Sequence, residues 1–456
     1  MHYRLRLITA CAFLALVPQF ASAQKEALAT PLSLQDCIDF AMHNADTIKN
    51  ARLAIRKQNE ENNQIKAGAL PRINGKGEFD DFVNPQQSLL PLGFIDGKPE
   101  DLNKFTPVQF SPKYTANTSL TGNQALFDGT LLVALKARKT VMEVATQAAK
   151  LTEENVKYSI QKAYFAVIVG IQQQKTLAIS LATAREMMHD VDALYKAGFE
   201  EKIAVERTQV QLTNLETDSL RTASLLETGK QALKYTIGMD INQPVELTDT
   251  SITDNVNTAI VLVTEELDYA KRTEYQLSLG TIKLLDYNLK RYQLAAYPTL
   301  NAFGNMGYNY GSNTFSDLTK FNGTYLFSSL VGLQLNVPIF NGFLRRSQVN
   351  EAKIDLELAK NRLHLLKQSL DFQTAQAQTT LKNALLAVNK QKLNLELSNS
   401  VLDLSRKKAK AGVGSNLEVN QAQTDLLLSQ NNYYTALLDV INAQADVQKA
   451  LGMFAQ

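Results

Sequence analysis

The chain has no tryptophan, two cysteines, four histidines and eleven prolines in 456 residues. Each shortage excludes something. One cysteine, Cys11, falls in the N-terminal apolar stretch, which leaves Cys37 as the lone thiol of the rest. An internal disulfide is therefore ruled out, and Cys37 reads as a small buried residue on a first helix. His43, His189 and His364 stand alone in helical stretches, without the spacing that a metal needs, and His2 lies at the extreme N-terminus. Lys and Arg total 47 against 45 Asp and Glu, so no basic stripe points to nucleic acid. No P-loop or dinucleotide fingerprint is present. Ser405-Arg406-Lys407-Lys408 matches S-x-x-K once, in a helical stretch, with none of its partner motifs. We assign no catalytic residue, cofactor or metal, and read the chain as no enzyme.

Beyond the N-terminus there is no apolar run of about 18 residues, so no transmembrane helix is expected. The N-terminus itself pairs Arg4 and Arg6 with an apolar run from Leu5 to Val17 and a small-residue site, Ala21-Ser22-Ala23. This is the pattern of a secretory signal peptide over 1–23, with a mature chain from Gln24. Ile8-Thr9-Ala10-Cys11 also has the outline of a lipidation box, but it leaves only a stub of apolar sequence before Cys11.

What is present is written twice. "ALPRINGKG" at Ala69 returns as "AYPTLNAFG" at Ala296, and "NQALFDG" at Asn123 returns as "NVPIFNG" at Asn336. "KAGFEEKIAVERTQ" at Lys196 returns as "KAGVGSNLEVNQAQ" at Lys410, and "YTIGM" at Tyr235 as "KALGM" at Lys449. Four landmarks in the same order imply an internal duplication. The halves are 24–239 and 265–456, joined by a linker over 240–264 with room for a small element of its own. Each half reads helix, strand, loop, strand, very long helix, turn, helix. The first copy carries an insert, "NPQQSLLPLGFIDGKPEDLNKF", rich in Pro, Gly and Asp, expected as an exposed loop. In the second copy the first helix is expected over about 265–295, stopped by Pro298.

The strands alternate. Val331, Leu333, Leu335 and Val337 interleave with Gly332, Gln334 and Asn336. Leu300, Ala302, Gly304, Met306, Tyr308 and Tyr310 share one face of their segment, with Tyr308 and Tyr310 toward the loop end. The lengths suit tilted transmembrane strands. Two hairpins give too few strands to close a barrel, and open edges are not tolerated in lipid, so several chains must share one.

After Gly342 no glycine or proline occurs until Gly412, a helix of roughly 69 residues and about 100 Å. Val349, Leu356, Leu363, Leu370, Ala377 and Ala384 repeat every seventh position, with Ala352, Ala359 and Leu366 as partners: a coiled-coil seam with small residues. Thr130 to Ala197 repeats the pattern. Gly198 and Gly412 sit where helix-ending glycines belong and mark a far tip.

Together these features resemble the outer membrane efflux protein family, the TolC-like channel-tunnels. The resemblance rests on the repeat, the strand starts after Pro71 and Pro298, the junctions Phe127-Asp128-Gly129 and Phe340-Asn341-Gly342, and the two "AG" tips. It implies an α+β membrane protein: a homotrimer with one twelve-stranded β-barrel, four strands per chain, and a coiled-coil helical tunnel through the periplasm. It implies the outer membrane of a Gram-negative bacterium. It also implies a passive exit duct for tripartite efflux or type I secretion. Its partners would be outer-membrane lipid, a periplasmic adaptor (membrane fusion) protein and an inner-membrane pump of the RND, ABC or MFS type. A periplasmic adaptor or structural coiled-coil protein is the alternative. In the family, acidic and tyrosine side chains near the tips constrict the tunnel. Carried over, one acidic position is Glu418 and the second is Gln421; the basic position is Gly414 and the tyrosine is Ala409. The first copy has Tyr195 at the place of Ala409, with Glu200 and Glu201 in its turn. Glu418 is equally readable as a first-turn acid opposing the helix dipole.

Overall fold

The computed structural model describes residues 31–97, 103–248, 259–320 and 325–455. The expected signal peptide and Cys11 lie outside the described residues, as does much of the linker.

Two short helices, α1 (Leu34–Asn44) and α2 (Asp46–Ala67), lead into β1 (Arg72–Asp81). Ser33 and Asp36 form a reciprocal capping box at the start of α1, and Pro71 follows the end of α2. The insert is not an irregular loop. It carries β2 (Gln87–Pro91), which pairs antiparallel with β3 (Phe105–Gln109), a strand starting at the last residue of the insert, and a single turn α3 (Gly93–Asp96) follows β2. Alternating Gln87-Ser88-Leu89-Leu90 supplies the pattern, while the turn residues that dominate the composition serve the connection. Next come β4 (Tyr114–Phe127), α4 (Gly129–Lys196) and α5 (Lys202–Ile237).

The linker holds a 3-10 turn at Val261–Thr264, and Leu32 forms a parallel bridge with Leu247. A second 3-10 turn, Tyr269–Lys271, precedes α6 (Thr273–Leu294). That helix starts later than its sequence suggests. Asp268 caps the 3-10 turn through Ala270 N, and Arg272 is extended, which breaks the run before Thr273. The second half continues with β5 (Thr299–Ser312), α7 (Phe315–Lys320), β6 (Tyr325–Asn336), α8 (Leu344–Lys410) and α9 (Asn416–Ala450).

The four long strands form one antiparallel sheet in the order β1-β4-β5-β6. Its two outer strands, β1 and β6, have one free edge each among the described residues. The helices pair as antiparallel hairpins, α4 with α5 and α8 with α9, while α2, α4, α6 and α8 lie side by side in that order. The buried stripe on α8 includes Ala352, Ala359, Leu370, Ala377 and Ala384, members of the heptad seam. Cys37 is fully buried on α1, as expected.

The main core sits midway along the helices, not at the sheet. There Ile48, Ile160, Tyr164, Leu233, Ile237, Leu381, Val440 and Ile441 are almost wholly buried. Two small apolar clusters lie further down, one between α4 and α5 and one between α8 and α9.

Candidate functional site

Three places carry the chemistry: the sheet, the strand-to-helix junctions and the tips.

The sheet has two unlike faces. Register puts Ile73, Phe79, Leu120, Met306, Val331, Leu333 and Leu335 on one side. Arg72, Asn74, Lys76, Glu78 and Asp80 lie on the other, with Thr115, Asn117, Ser119, Thr121, Asn301, Asn305 and Gln334. The polar face is tied together by Lys76 to Glu78 at 2.8 Å and by the Thr115 hydroxyl donating to Asp80 at 3.1 Å. Among the described residues no long helix packs against the sheet, and Val331 on the apolar face is 87% exposed; at the loop end Phe315 of the short α7 meets Phe79 and Tyr114 edge to face. Toward the loop end this face gathers rings. Phe79 stacks on Tyr114, Tyr308 meets Phe327 at 5.2 Å and Tyr310 meets Tyr325 at 5.0 Å. Aromatic residues concentrate at this height on membrane-facing surfaces.

The junctions are not alike. In the first, β4 ends at Phe127 and the helix begins two residues later. The Asp128 carboxylate accepts from Thr130 N at 2.8 Å and Leu131 N at 3.3 Å, satisfying free amides of the first turn. Gly129 lies under the end of α6, where a Cβ would come within 3.1 Å of Leu294 Cβ. In the second, β6 stops at Asn336, earlier than the alternation suggests. Val337 to Phe343 intervenes, with Pro338 ending the ladder. Asn341 gives α8 no side-chain cap; Gly342 (φ 63°) and Phe343 (φ 65°) both turn left-handed before Leu344. The boundary lies two residues past the expected Gly342.

The two tips share one turn. Gly198 (φ 81°) and Gly412 (φ 73°) close α4 and α8. Gly198 N donates to Tyr195 O and Phe199 N to Leu194 O; Gly412 N donates to Ala409 O and Val413 N to Lys408 O. These are paired Schellman bonds, and they put Tyr195 and Ala409 at equivalent places. Gly414 approaches Lys408 so closely that a Cβ would lie 2.9 Å from Lys408 Cβ, so the basic side chain of the family's pattern has no room in this turn.

After the turn, Ser415 Oγ accepts from Glu418 N at 3.3 Å. The Glu418 side chain is exposed in the first turn of α9 and takes no hydrogen bond among the described residues. Glu200 accepts from Asn416 Nδ2, joining the two tips; Glu201 is the first residue before α5 and gives it no side-chain cap. Gln421 donates to Asp425 at 2.9 Å. Further contacts between the helical hairpins run from Gln211 to Asn420 O and from Asn420 to the Thr208 hydroxyl. Sequence reading missed these long-range partners. It also missed Phe199 and Val413, apolar and about four-fifths exposed at both tips. An apolar residue directly after each tip glycine is the signal that was available.

Midway along, Arg272 is buried at 3% exposure and donates to Lys449 O, which ties the start of α6 to the end of α9. It also pairs with Glu274 at 3.2 Å. Beside it Thr273 donates to Glu154, and burial pushes the Glu154 carboxyl above its ordinary range. Among the described residues no cluster of His, Cys, Asp and Glu could hold a metal ion, and no helix is long and apolar enough to cross a membrane.

Residues 284–453, from within α6 to beyond α9, match the outer membrane efflux protein family. No curated protein matches the chain in sequence. In solved structures the fold is similar to the outer membrane protein VceC of Vibrio cholerae, at 16% identity and a TM-score of 0.70, covering 92% of this chain and 96% of that one. The CmeC outer membrane channel of Campylobacter jejuni gives 15% and 0.70, covering 92% and 85%. The open-state MtrE outer membrane channel of Neisseria gonorrhoeae gives 16% and 0.67, covering 92% and 88%. Over residues 284–453 the chain is similar to the outer membrane efflux protein family, and over nearly its whole length its fold is similar to that of these outer-membrane channels.

Proposed function

We propose that this chain is the outer-membrane channel-tunnel of a tripartite efflux system, a passive duct from periplasm to exterior. The carrying observation is the sheet. Its apolar face lies open, its polar face is charged, and each of its two outer strands keeps one free edge among the described residues. In hydrocarbon such a sheet is tenable only when closed on itself. Three copies, pairing β6 of one with β1 of the next, give a twelve-stranded barrel with Arg72, Lys76, Glu78 and Asp80 inside. A second stripe on α8 supports this: Ile354, Leu358, Leu365, Phe372, Leu386 and Leu393 are exposed at near-heptad spacing, opposite the seam that packs in the chain. Neighbouring copies would cover it.

The two halves act as duplicated units, and the tips face away from the membrane toward a periplasmic adaptor and its pump. Glu418, brought round the axis three times, would form an acidic ring that favours cations. The pump, and not the passive duct, would select the cargo. An adaptor outside the membrane would have no use for a sheet with an uncovered apolar face.

The test is membrane fractionation followed by native mass measurement in detergent. Recovery in the outer membrane at three times the chain mass is expected. A soluble monomer would overturn the reading.

A further inference from the structure

The uneven second junction makes a cleft of about 430 Å³, lined among others by Ile339, Phe340, Phe343, Arg345, Arg346 and Lys353. Its walls differ in kind. One is apolar: Ile339 is 92% exposed, and the rings of Phe340 and Phe343 meet edge to face at 5.5 Å. The other is cationic. Arg345, Arg346 and Lys353 make no ion pair or hydrogen bond among the described residues, although Glu357 lies one turn beyond Lys353. Some cations of the long helices are paired within one turn, as in Lys196 with Asp192 at 2.6 Å and Lys407 with Asp403 at 2.5 Å; these three are not, and they stand together. No acidic side chain lines the cleft.

Its place is also specific. Leu333 and Leu335 carry the apolar sheet face down to Asn336, and the cleft opens directly below. The stripe left for a neighbouring copy, Ile354, Leu358, Leu365 and Phe372, lies roughly a third of a turn round α8 from Arg346 and Lys353. Those two cations instead share a line with Asp371 and Gln378, which hold Tyr269 and the Glu265 carbonyl of the segment before α6. The cleft therefore looks away from the next copy.

We propose that this cleft binds the head group of an anionic phospholipid in the periplasmic leaflet, its phosphate on Arg345, Arg346 and Lys353 and its acyl chain against Ile339, Phe340 and Phe343. Charge complementarity selects the anion, and the adjoining apolar wall selects a lipid over a free ion. This inference rests on the membrane reading above.

The test places the full chain in bilayers of phosphatidylethanolamine with and without phosphatidylglycerol, and measures retained lipid by native mass spectrometry. The wild type is expected to retain phosphatidylglycerol selectively. A triple change, Arg345→Gln, Arg346→Gln and Lys353→Gln, is expected to lower that retention by about fivefold for each cation removed. The control, Lys382→Gln, Lys390→Gln and Lys392→Gln, removes as many exposed cations further along α8 and is expected to retain lipid as the wild type does. Equal retention by the wild type and the cleft variant would overturn the proposal. Displacement of the lipid by millimolar inorganic phosphate would overturn the lipid as occupant. Loss of the assembled mass with retention unchanged would assign the cleft to a neighbouring copy. Failure of the wild type to enter either bilayer would overturn the membrane reading itself, whereas entry without selectivity would overturn only this inference.

Discussion

The sheet and the middle of the helical body solve the same problem in opposite ways. Around Tyr164, Leu381 and Ile441 apolar side chains are covered by their own chain, from α1, α4, α5, α8 and α9 together. On the sheet, Val331, Leu333 and Leu335 are as apolar and have no such cover. The difference shows where each region obtains its stability. The body has a core that one copy completes; on the reading proposed above, the sheet depends on a surrounding of hydrocarbon and on a further strand at each edge.

The largest expected effect tests the body. Leu381→Ala should destabilise the helical fold by about 2–5 kcal/mol, read as a lower thermal midpoint of the helical signal in detergent. The same truncation at Leu333 should leave that midpoint nearly unchanged. Equal losses at both would erase the contrast.

Next is the sheet. Val331→Arg, at the middle of β6, should cost about 2–4 kcal/mol if it faces hydrocarbon near the midplane, and should be seen as loss of barrel assembly in lipid. Gln334→Arg, on the polar face, should assemble normally. The reverse order would invert the faces.

The junctions follow. Asp128→Ala should cost about 1 kcal/mol by uncapping α4, measured as a shift in chemical unfolding. Asn341→Ala should cost little, because Asn341 caps nothing.

Smaller still is a pH effect at Glu154. Its folded pKa is raised by burial, so the folded state holds this proton at pH values where the unfolded chain has released it. Stability from this group is thus full below the ordinary carboxylate range and falls as pH rises through that range to the raised value. Glu154→Gln should flatten that slope in a pH series of melts. The last prediction costs the fold almost nothing: Glu418→Ala should raise single-channel conductance or shift cation selectivity in planar bilayers. An unchanged channel would leave Glu418 as a residue of the helix start.

Much of this was legible in the sequence for simple reasons. No glycine or proline between Gly342 and Gly412 breaks the helix, and the seven-residue spacing of Ala352 with Ala359, and of Leu370 with Ala377 and Ala384, sets the buried stripe. Period-two alternation gave the sheet and its two faces. The misses have causes as plain. The β2–β3 hairpin was hidden by the turn-forming residues between its strands. The start of α6 depends on an extended Arg272 whose partners are 177 and 178 residues away. The second junction copies the first in letters but not in geometry, because Pro338 ends the ladder early and no carboxylate stands at Asn341. The tip contacts, Glu200 with Asn416 and Asn420 with Thr208, join residues that no local spacing connects.

The two free strand edges also set an order of events. Helical hairpins satisfy their own amides and can form in water, before any copy meets another. A strand border with open donors and acceptors is adhesive until it finds a match, so closing it must come late and must depend on how many copies are nearby. Newly made chains would then be most vulnerable to clumping in transit, after the shaft has formed and before the ring is complete.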